Sequence, residues 1–121
     1  MVRLSLDSSG KDAAFISNCY RWHSGISVLE IYRNPPPQLA LDKVKERIDY
    51  LQHAYEGGAT GNHAQIAERT RARKEVTEMF KKIIRYLEIV ATEDDIPALI
   101  QAGFTVRRSG WRRKAMVPQP S

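Results

Sequence analysis

Apolar residues recur at three- and four-residue steps along most of this chain, and that spacing decides its expected fold class. Leu41, Val44, Ile48, Leu51 and Tyr55 keep the step, while Asp42, Lys43, Lys45, Glu46, Arg47, Asp49, Gln52 and His53 fill the positions between them. One apolar stripe opposite one wet face predicts an amphipathic helix, over residues 38–56. Gly57-Gly58 supplies a left-handed stop, and Ala59-Thr60-Gly61-Asn62 completes a turn. The next helix is the longest, over 62–91, with Ile66, Thr70, Val76, Phe80, Ile83, Ile84, Leu87 and Val90 as its inner face. Neither Gly nor Pro interrupts it. Its outer face offers Arg71–Glu75, Lys74–Glu78 and Glu78–Lys82 as i,i+4 ion pairs. The short turn demands an antiparallel hairpin with Phe80 at its seam. The longer helix overhangs its partner and needs cover from the flanking pieces.

Before the hairpin, Phe15, Cys19, Trp22 and Ile26 share one face of a first helix, which Asp7, Ser8, Ser9 and Gly10 are able to cap. Gly25 weakens the end of that helix, and Asn34-Pro35-Pro36-Pro37 terminates any continuation. The prolines read as a stiff extended connector rather than as a ligand for a proline-binding partner. Arg3-Leu4-Ser5-Leu6 alternates too briefly to define a strand. After the hairpin, Thr92-Glu93-Asp94-Asp95 gathers cap formers and acids at a helix start. Pro97 suits the first turn if Asp94 or Asp95 is the cap. Ile96, Leu99 and Ile100 are expected to face inward, Gly103 to stop the helix and Phe104 to dock behind it, with Val106 adding to the dock. The expectation is therefore an all-α, up-and-down bundle of three main helices plus a short fourth, over residues 1–106. Residues 107–121 follow as a basic, extended and flexible tail.

At 121 residues with 42% hydrophobic composition, the chain suits one domain with a real core. A single cysteine excludes an intramolecular disulfide and any multi-cysteine zinc site. No apolar run approaches the roughly 18 residues of a membrane span. The N-terminal residues lack the apolar core of a signal peptide, so a cytoplasmic location is expected. Charge sharpens the picture by its placement. Residues 1–60 hold seven cations and seven anions, and residues 61–106 hold seven of each again. The net charge of +5 therefore resides entirely in Arg107, Arg108, Arg112, Arg113 and Lys114.

Several residue sets resemble chemistry, and most have a simpler account. Cys19 and His23 stand one helical turn apart, a spacing that suits a thiolate–imidazole pair or two metal ligands. Cys19 nevertheless belongs to the Phe15–Trp22 stripe and reads as core. His53 and His63 flank the hairpin turn, with only Glu56 and Asn62 nearby to complete a metal site. Adjacent carboxylates at Glu93, Asp94 and Asp95 point in different directions and read as capping. The glycine-rich Gly57–Gly61 stretch lacks the Lys-Ser/Thr and the preceding strand of a phosphate loop. No catalytic residue, metal site or cofactor is expected, and no small-molecule substrate is evident. The feature that remains is Arg107, Arg108, Trp111, Arg112, Arg113 and Lys114, the candidate polyanion-binding residues. Cations around an aromatic that can stack suit nucleic acid or an acidic surface. The favoured account is a solvated tail that keeps the domain soluble, with Trp111 folding back onto the bundle.

The opening MVRLSLDS, then NPPP before a hairpin, AERTRARKEVTEMF and finally ATEDDIPALIQAGFTVRR resemble a family of uncharacterised small bacterial helical-bundle domains. The likeness covers roughly residues 2–108, and its most specific part is the short helix ending in Gly103-Phe104 with Val106-Arg107 after it. Longer relatives often continue through a Pro-containing linker into a fibronectin type III module. Met116-Val117-Pro118-Gln119-Pro120-Ser121 stands where such a linker would begin, so the chain is expected to be the bundle alone, natural or truncated. The resemblance implies an all-α bundle of bacterial source and carries no activity or site residue. An aromatic-rich first helix and a basic end set this chain apart from ordinary members. The function expected is a non-catalytic interaction or spacer module for an unidentified protein partner, self-association included. Weak, sequence-independent nucleic-acid binding through the tail is the alternative.

Overall fold

The computed structural model describes residues 2–58 and 63–108. Four helices dominate it: α1 over Asp12–Ser27, α2 over Leu41–Gly58, α3 over His63–Val90 and α4 over Ile96–Ala102. Two short strands join them, β1 over Val2–Ser5 and β2 over Thr105–Arg108. The architecture is the all-α bundle expected from the periodicity, with a two-stranded ribbon added.

Side-chain pairings between helices give the topology directly. Arg47 meets Glu75 at 3.1 Å, and the Arg69 guanidinium lies 5.8 Å from the centre of the Tyr55 ring. Later positions on α2 therefore meet earlier ones on α3, so the two run antiparallel. Tyr20 with Asp49 and His23 with Leu41 show the same opposition between α1 and α2. Asp12 with Arg73 and Trp22 with Phe80 advance together, so α1 and α3 are parallel. Up-and-down order follows.

The core is the set of residues at the three-four step. Phe15, Cys19, Trp22 and Ile26 of α1 are buried, as are Val44, Ile48 and Leu51 of α2. On α3 the buried series is Ala72, Val76, Met79, Phe80, Ile83 and Leu87. Thr70, expected on the inner face, is exposed. Counting back from Val76 in helical steps reaches Arg73 and Arg69 instead, one position out of phase with Thr70. Those two arginines occupy the inward slots, half-buried, with their guanidinium groups over aromatic rings. Phe80 packs edge-to-face on Trp22, with ring centres 5.3 Å apart, which places it between α3 and α1.

Local rules decided where several elements begin and end. Lys11, with no side-chain cap bond, is the N-cap of α1. The Asp7 carboxylate instead accepts the Ser9 backbone N–H at 3.0 Å and its hydroxyl, closing a turn upstream of the helix. Between α1 and α2 the chain makes two short 3-10 turns, Glu30–Tyr32 and Pro37–Leu39, that bury Tyr32 and Leu39. Pro36 is extended, but the connector as a whole is folded and packed. Its Tyr32 hydroxyl donates to the Leu39 carbonyl at 2.5 Å, and Tyr86 of α3 donates to the Asn34 carbonyl at 3.1 Å. Prolines thus postpone α2 to Leu41, and its helix continues through both Gly57 and Gly58.

Asp95 is the N-cap residue of α4, as expected, and Thr92 begins a separate 3-10 turn just ahead of it. The Thr92 backbone N–H donates to the Asp95 carboxylate at 2.8 Å, the reciprocal bond of a capping box, ahead of a 3-10 turn over Glu93–Asp95. Pro97 sits in the first turn of α4 as expected. Leu99 and Ala102 turn inward, whereas Ile100 is 56% exposed. Gly103 adopts φ +107°, and the Phe104 N–H reaches back to the Leu99 carbonyl at 3.1 Å, so the helix ends in a left-handed cap with Phe104 buried behind it.

The ion pairs on α3 differ from the i,i+4 set read from the sequence. Arg71 turns back to Glu68, Lys81 pairs with Glu78 at 3.3 Å, and Glu75 accepts Arg47 from α2. Solvent-exposed pairs are nearly isoenergetic alternatives, so spacing alone does not choose among them.

Gly25 has a role that its helix-weakening tendency hides. A Cβ there would stand 2.5 Å from the Ala102 carbonyl oxygen and 2.7 Å from its Cα, so α4 crosses α1 on bare backbone. Gly25→Ala is expected to destabilise the fold, because overpacking against backbone costs about 1–3 kcal/mol. Helix propensity alone would favour alanine by about 1 kcal/mol. The sign of the shift in the urea midpoint therefore reports the crossing, and a gain in stability would remove it. Phe80→Ala should cost about 3–5 kcal/mol in the same measurement, through the cavity left against Trp22.

Candidate polyanion-binding site and the other polar clusters

The candidate residues of the basic end divide at the last described position. β1 pairs antiparallel with β2 in the register Val2↔Arg108, Arg3↔Arg107, Leu4↔Val106 and Ser5↔Thr105. The alternation Arg3-Leu4-Ser5 is thus a true strand, and Arg107 and Arg108 belong to its partner rather than to a free tail. Ordered structure runs two residues beyond the expected boundary at 106. Trp111, Arg112, Arg113 and Lys114 lie outside the described residues.

The ribbon is held from the side by α3. The Leu4 N–H, which points away from β2, donates to the Glu88 carboxylate at 2.8 Å. Glu88 thereby closes the edge of β1 with a side chain in place of a third strand. Arg3 stands directly opposite Arg107 in the register.

Cys19 and His23 do not form a reactive pair. Cys19 is fully buried, and desolvation pushes its thiol up from 9.0 to about 12, against a smaller opposing pull from Arg73. A thiol held protonated is no nucleophile. His23 donates from Nε2 to the Leu41 carbonyl at 2.9 Å, tying α1 to the start of α2. His53 and His63 are both exposed, and Glu56 accepts the Gln52 amide at 2.7 Å. Asn62 lies outside the described residues. Among those residues no group of three or more His, Cys, Asp or Glu is placed to hold a metal ion.

A polar cluster that spacing arguments missed sits at the start of α1. Asp12 accepts Arg73 at 2.7 Å and Arg69 at 3.1 Å, and Arg73 also donates to the Ser8 carbonyl at 2.8 Å. The Arg73 guanidinium lies 4.4 Å from the centre of the Phe15 ring. The only hint in the sequence is that Arg69 and Arg73 keep the phase of the apolar stripe. A second cluster joins α1 to α2, where the Tyr20 hydroxyl donates to Asp49 at 2.6 Å and Lys45 reaches the same carboxylate at 3.1 Å. Tyr20 is pushed up to about 12, first by burial and then by that bond, and the same bond holds the Asp49 carboxyl below its usual range. Each of these groups links one element to another, so the arrangement is that of structural fasteners.

No helix among the described residues is long and apolar enough to cross a membrane. Comparison with protein-family models, with curated proteins and with solved structures finds no match to this chain.

The raised groups dictate the alkaline behaviour. Cys19, Tyr20 and Tyr32 all have thiol or phenol protons held more tightly in the fold, with burial the largest cause each time. Their contribution is fully present below about pH 8, where both states keep the proton, and is lost as pH rises and the unfolded chain ionises first. Asp49 has the opposite sense, and its contribution fades as pH falls through the carboxylate range. Urea midpoints should therefore drop between about pH 8 and pH 11, with a shallower drop in Tyr20→Phe. An unchanged midpoint across that range would contradict the burial of these groups.

Proposed function

We propose that this chain is a non-catalytic helical interaction or spacer module. The observation that carries the reading is the use made of its polar side chains at the core boundary. Tyr20, His23, Tyr32, Asp12, Arg73 and Glu88 each tie one element to another. The groups with the strongest shifts, Cys19, Tyr20 and Tyr32, are shifted towards inertness. Catalytic groups are tuned the other way, towards a pKa near the working pH. The resemblance to small bacterial bundle domains that precede fibronectin type III modules supports the same reading, with a protein partner or a second copy as the object of binding and a cytoplasmic site of action.

Nucleic-acid binding through the basic end is the second reading, favoured by the register that sets Arg3 opposite Arg107 and leads the chain through Arg108 towards Trp111, Arg112, Arg113 and Lys114. Such binding would be electrostatic and indifferent to sequence, because no helix here presents a set of side chains to base edges.

Affinity capture from the source cell, with the full chain and with a chain ending at Arg108, separates the two. The interaction-module reading expects the same protein partner, or the chain itself, with both lengths. In parallel, full-length protein titrated into labelled DNA at about 150 mM salt should show no saturable binding. A log–log salt slope of about −4.5 on duplex or −3.5 on single strands, five cations' worth, would establish the second reading instead, provided it falls to about −1.8 on duplex in the shorter chain, which keeps Arg107 and Arg108.

A further inference from the structure

The N-terminal segment crosses α3 as a strap pinned at two points. Glu88 holds it at the Leu4 N–H, and Arg73 holds it at the Ser8 carbonyl, both at 2.8 Å. Between those pins a groove of about 290 Å³ opens under the strap. Leu4, Leu6 and Ile84 give it apolar walls, and Trp22 also lines it. Lys81 and Arg85 of α3 stand exposed at its edge, and no acidic residue lines it. The two nearest carboxylates on α3 are already engaged, Glu78 by Lys81 and Glu88 by the strap.

Trp22 is 2% exposed, and its Nε1–H, which has no hydrogen-bond partner among the described residues, lies on the ring edge beside Gly103, so what Trp22 offers the groove is ring surface. The volume lies at the lower bound of small-molecule pockets, and an apolar lining with a few convergent polar groups is their usual make-up.

We propose that this groove binds a small amphiphilic carboxylate, its apolar body between the strap and Trp22 and its anionic head on Arg85 and Lys81. Charge selects the head: Arg85 makes no ion pair among the described residues and Lys81 shares its charge with Glu78, so the rim is net cationic and favours an anion, and the short groove favours a compact aliphatic or aryl acid over a long-chain lipid. The proposal uses none of the observations behind the interaction-module reading, so it stands or falls independently of it.

Trp22 makes the test direct. The chain has two tryptophans, and Trp111→Phe leaves Trp22 as the sole emitter. Titrating that variant with octanoate should change Trp22 emission saturably, while octanol, which has the same tail without the charge, should bind at least tenfold more weakly. Arg85→Gln, an exposed position that should leave the helical circular dichroism intact, should abolish the preference for octanoate. A response confined to octanoate and lost in Arg85→Gln supports the site. No saturable response to octanoate, equal binding of octanol, or a preference that survives Arg85→Gln and Lys81→Gln together would overturn it.

Discussion

Trp22 needs a surface without side chains, and the way this need is met fixes where the fourth helix ends. A Cβ on Gly103 would stand 2.8 Å from the indole Cδ1, so the ring lies against bare backbone at the end of α4. One turn further along α1, Gly25 is met in the same manner by Ala102. Two glycines, one on each helix, thus create a single crossing that neither sequence segment defines alone. Phe15 and Phe80 then close on Trp22 with edge-to-face geometry, at 6.3 and 5.3 Å, and connect that crossing to α3. The short helix is consequently a lid on the first helix, and the far part of α3 is covered by β1 and by the folded connector between α1 and α2, through Glu88 and Tyr86.

How much of this can be read from sequence depends on the distance over which each cause acts. The helices are legible because a three-four apolar step is a local signal, and so is the stop at Gly103. Thr92 to Asp95 is legible as a helix start but not in its detail, because four successive cap formers leave several boxes open and only geometry selects one. Gly25 is misread locally for a different reason. Its cost to helix propensity is written in its own segment, while its benefit lies in contact with a residue 77 positions away. Arg69 and Arg73 are not picked out by residue type, which suggests solvent, whereas their phase along α3 leads inward. Ring faces at Tyr55 and Phe15 and the carboxylate at Asp12 make those inward slots acceptable to a cation.

The ribbon shows the same limit at its furthest reach. Strands of four residues carry little preference of their own, and a lone two-stranded pair is marginal in water. Here the pairing joins Val2 to Arg108, across nearly the whole chain. Loop-closure entropy opposes such contacts until the intervening bundle has formed and brought the ends together. Val2, Leu4 and Phe104 are buried in the folded chain, where α4 has brought β2 back alongside β1. The expectation of a flexible segment beginning at Arg107 was therefore reasonable for an isolated peptide. What changes it is the docking of α4, which aims the chain back along β1.

That dependence gives the N-terminal strap a particular standing. It is secured by β2 on one edge, by the Glu88 carboxylate on the other, and by Arg73 at its far end. Apart from Val2 and Leu4, little of it is buried, and segments with few buried contacts open at lower free energy than the helices they cover. Glu88 and Arg73 act at the two ends, each through a charge-assisted bond to a backbone group, and such bonds are stronger than neutral ones. Between them the strap rests over the Trp22 groove with only Leu4 and Leu6 as apolar contacts. The same few side chains therefore set both the closure of the ribbon and access to the space beneath it. A change that loosens the strap acts on the terminal strand pair and the groove together, while the α2–α3 hairpin, packed through Ile48, Leu51, Val76 and Ile83, is left intact.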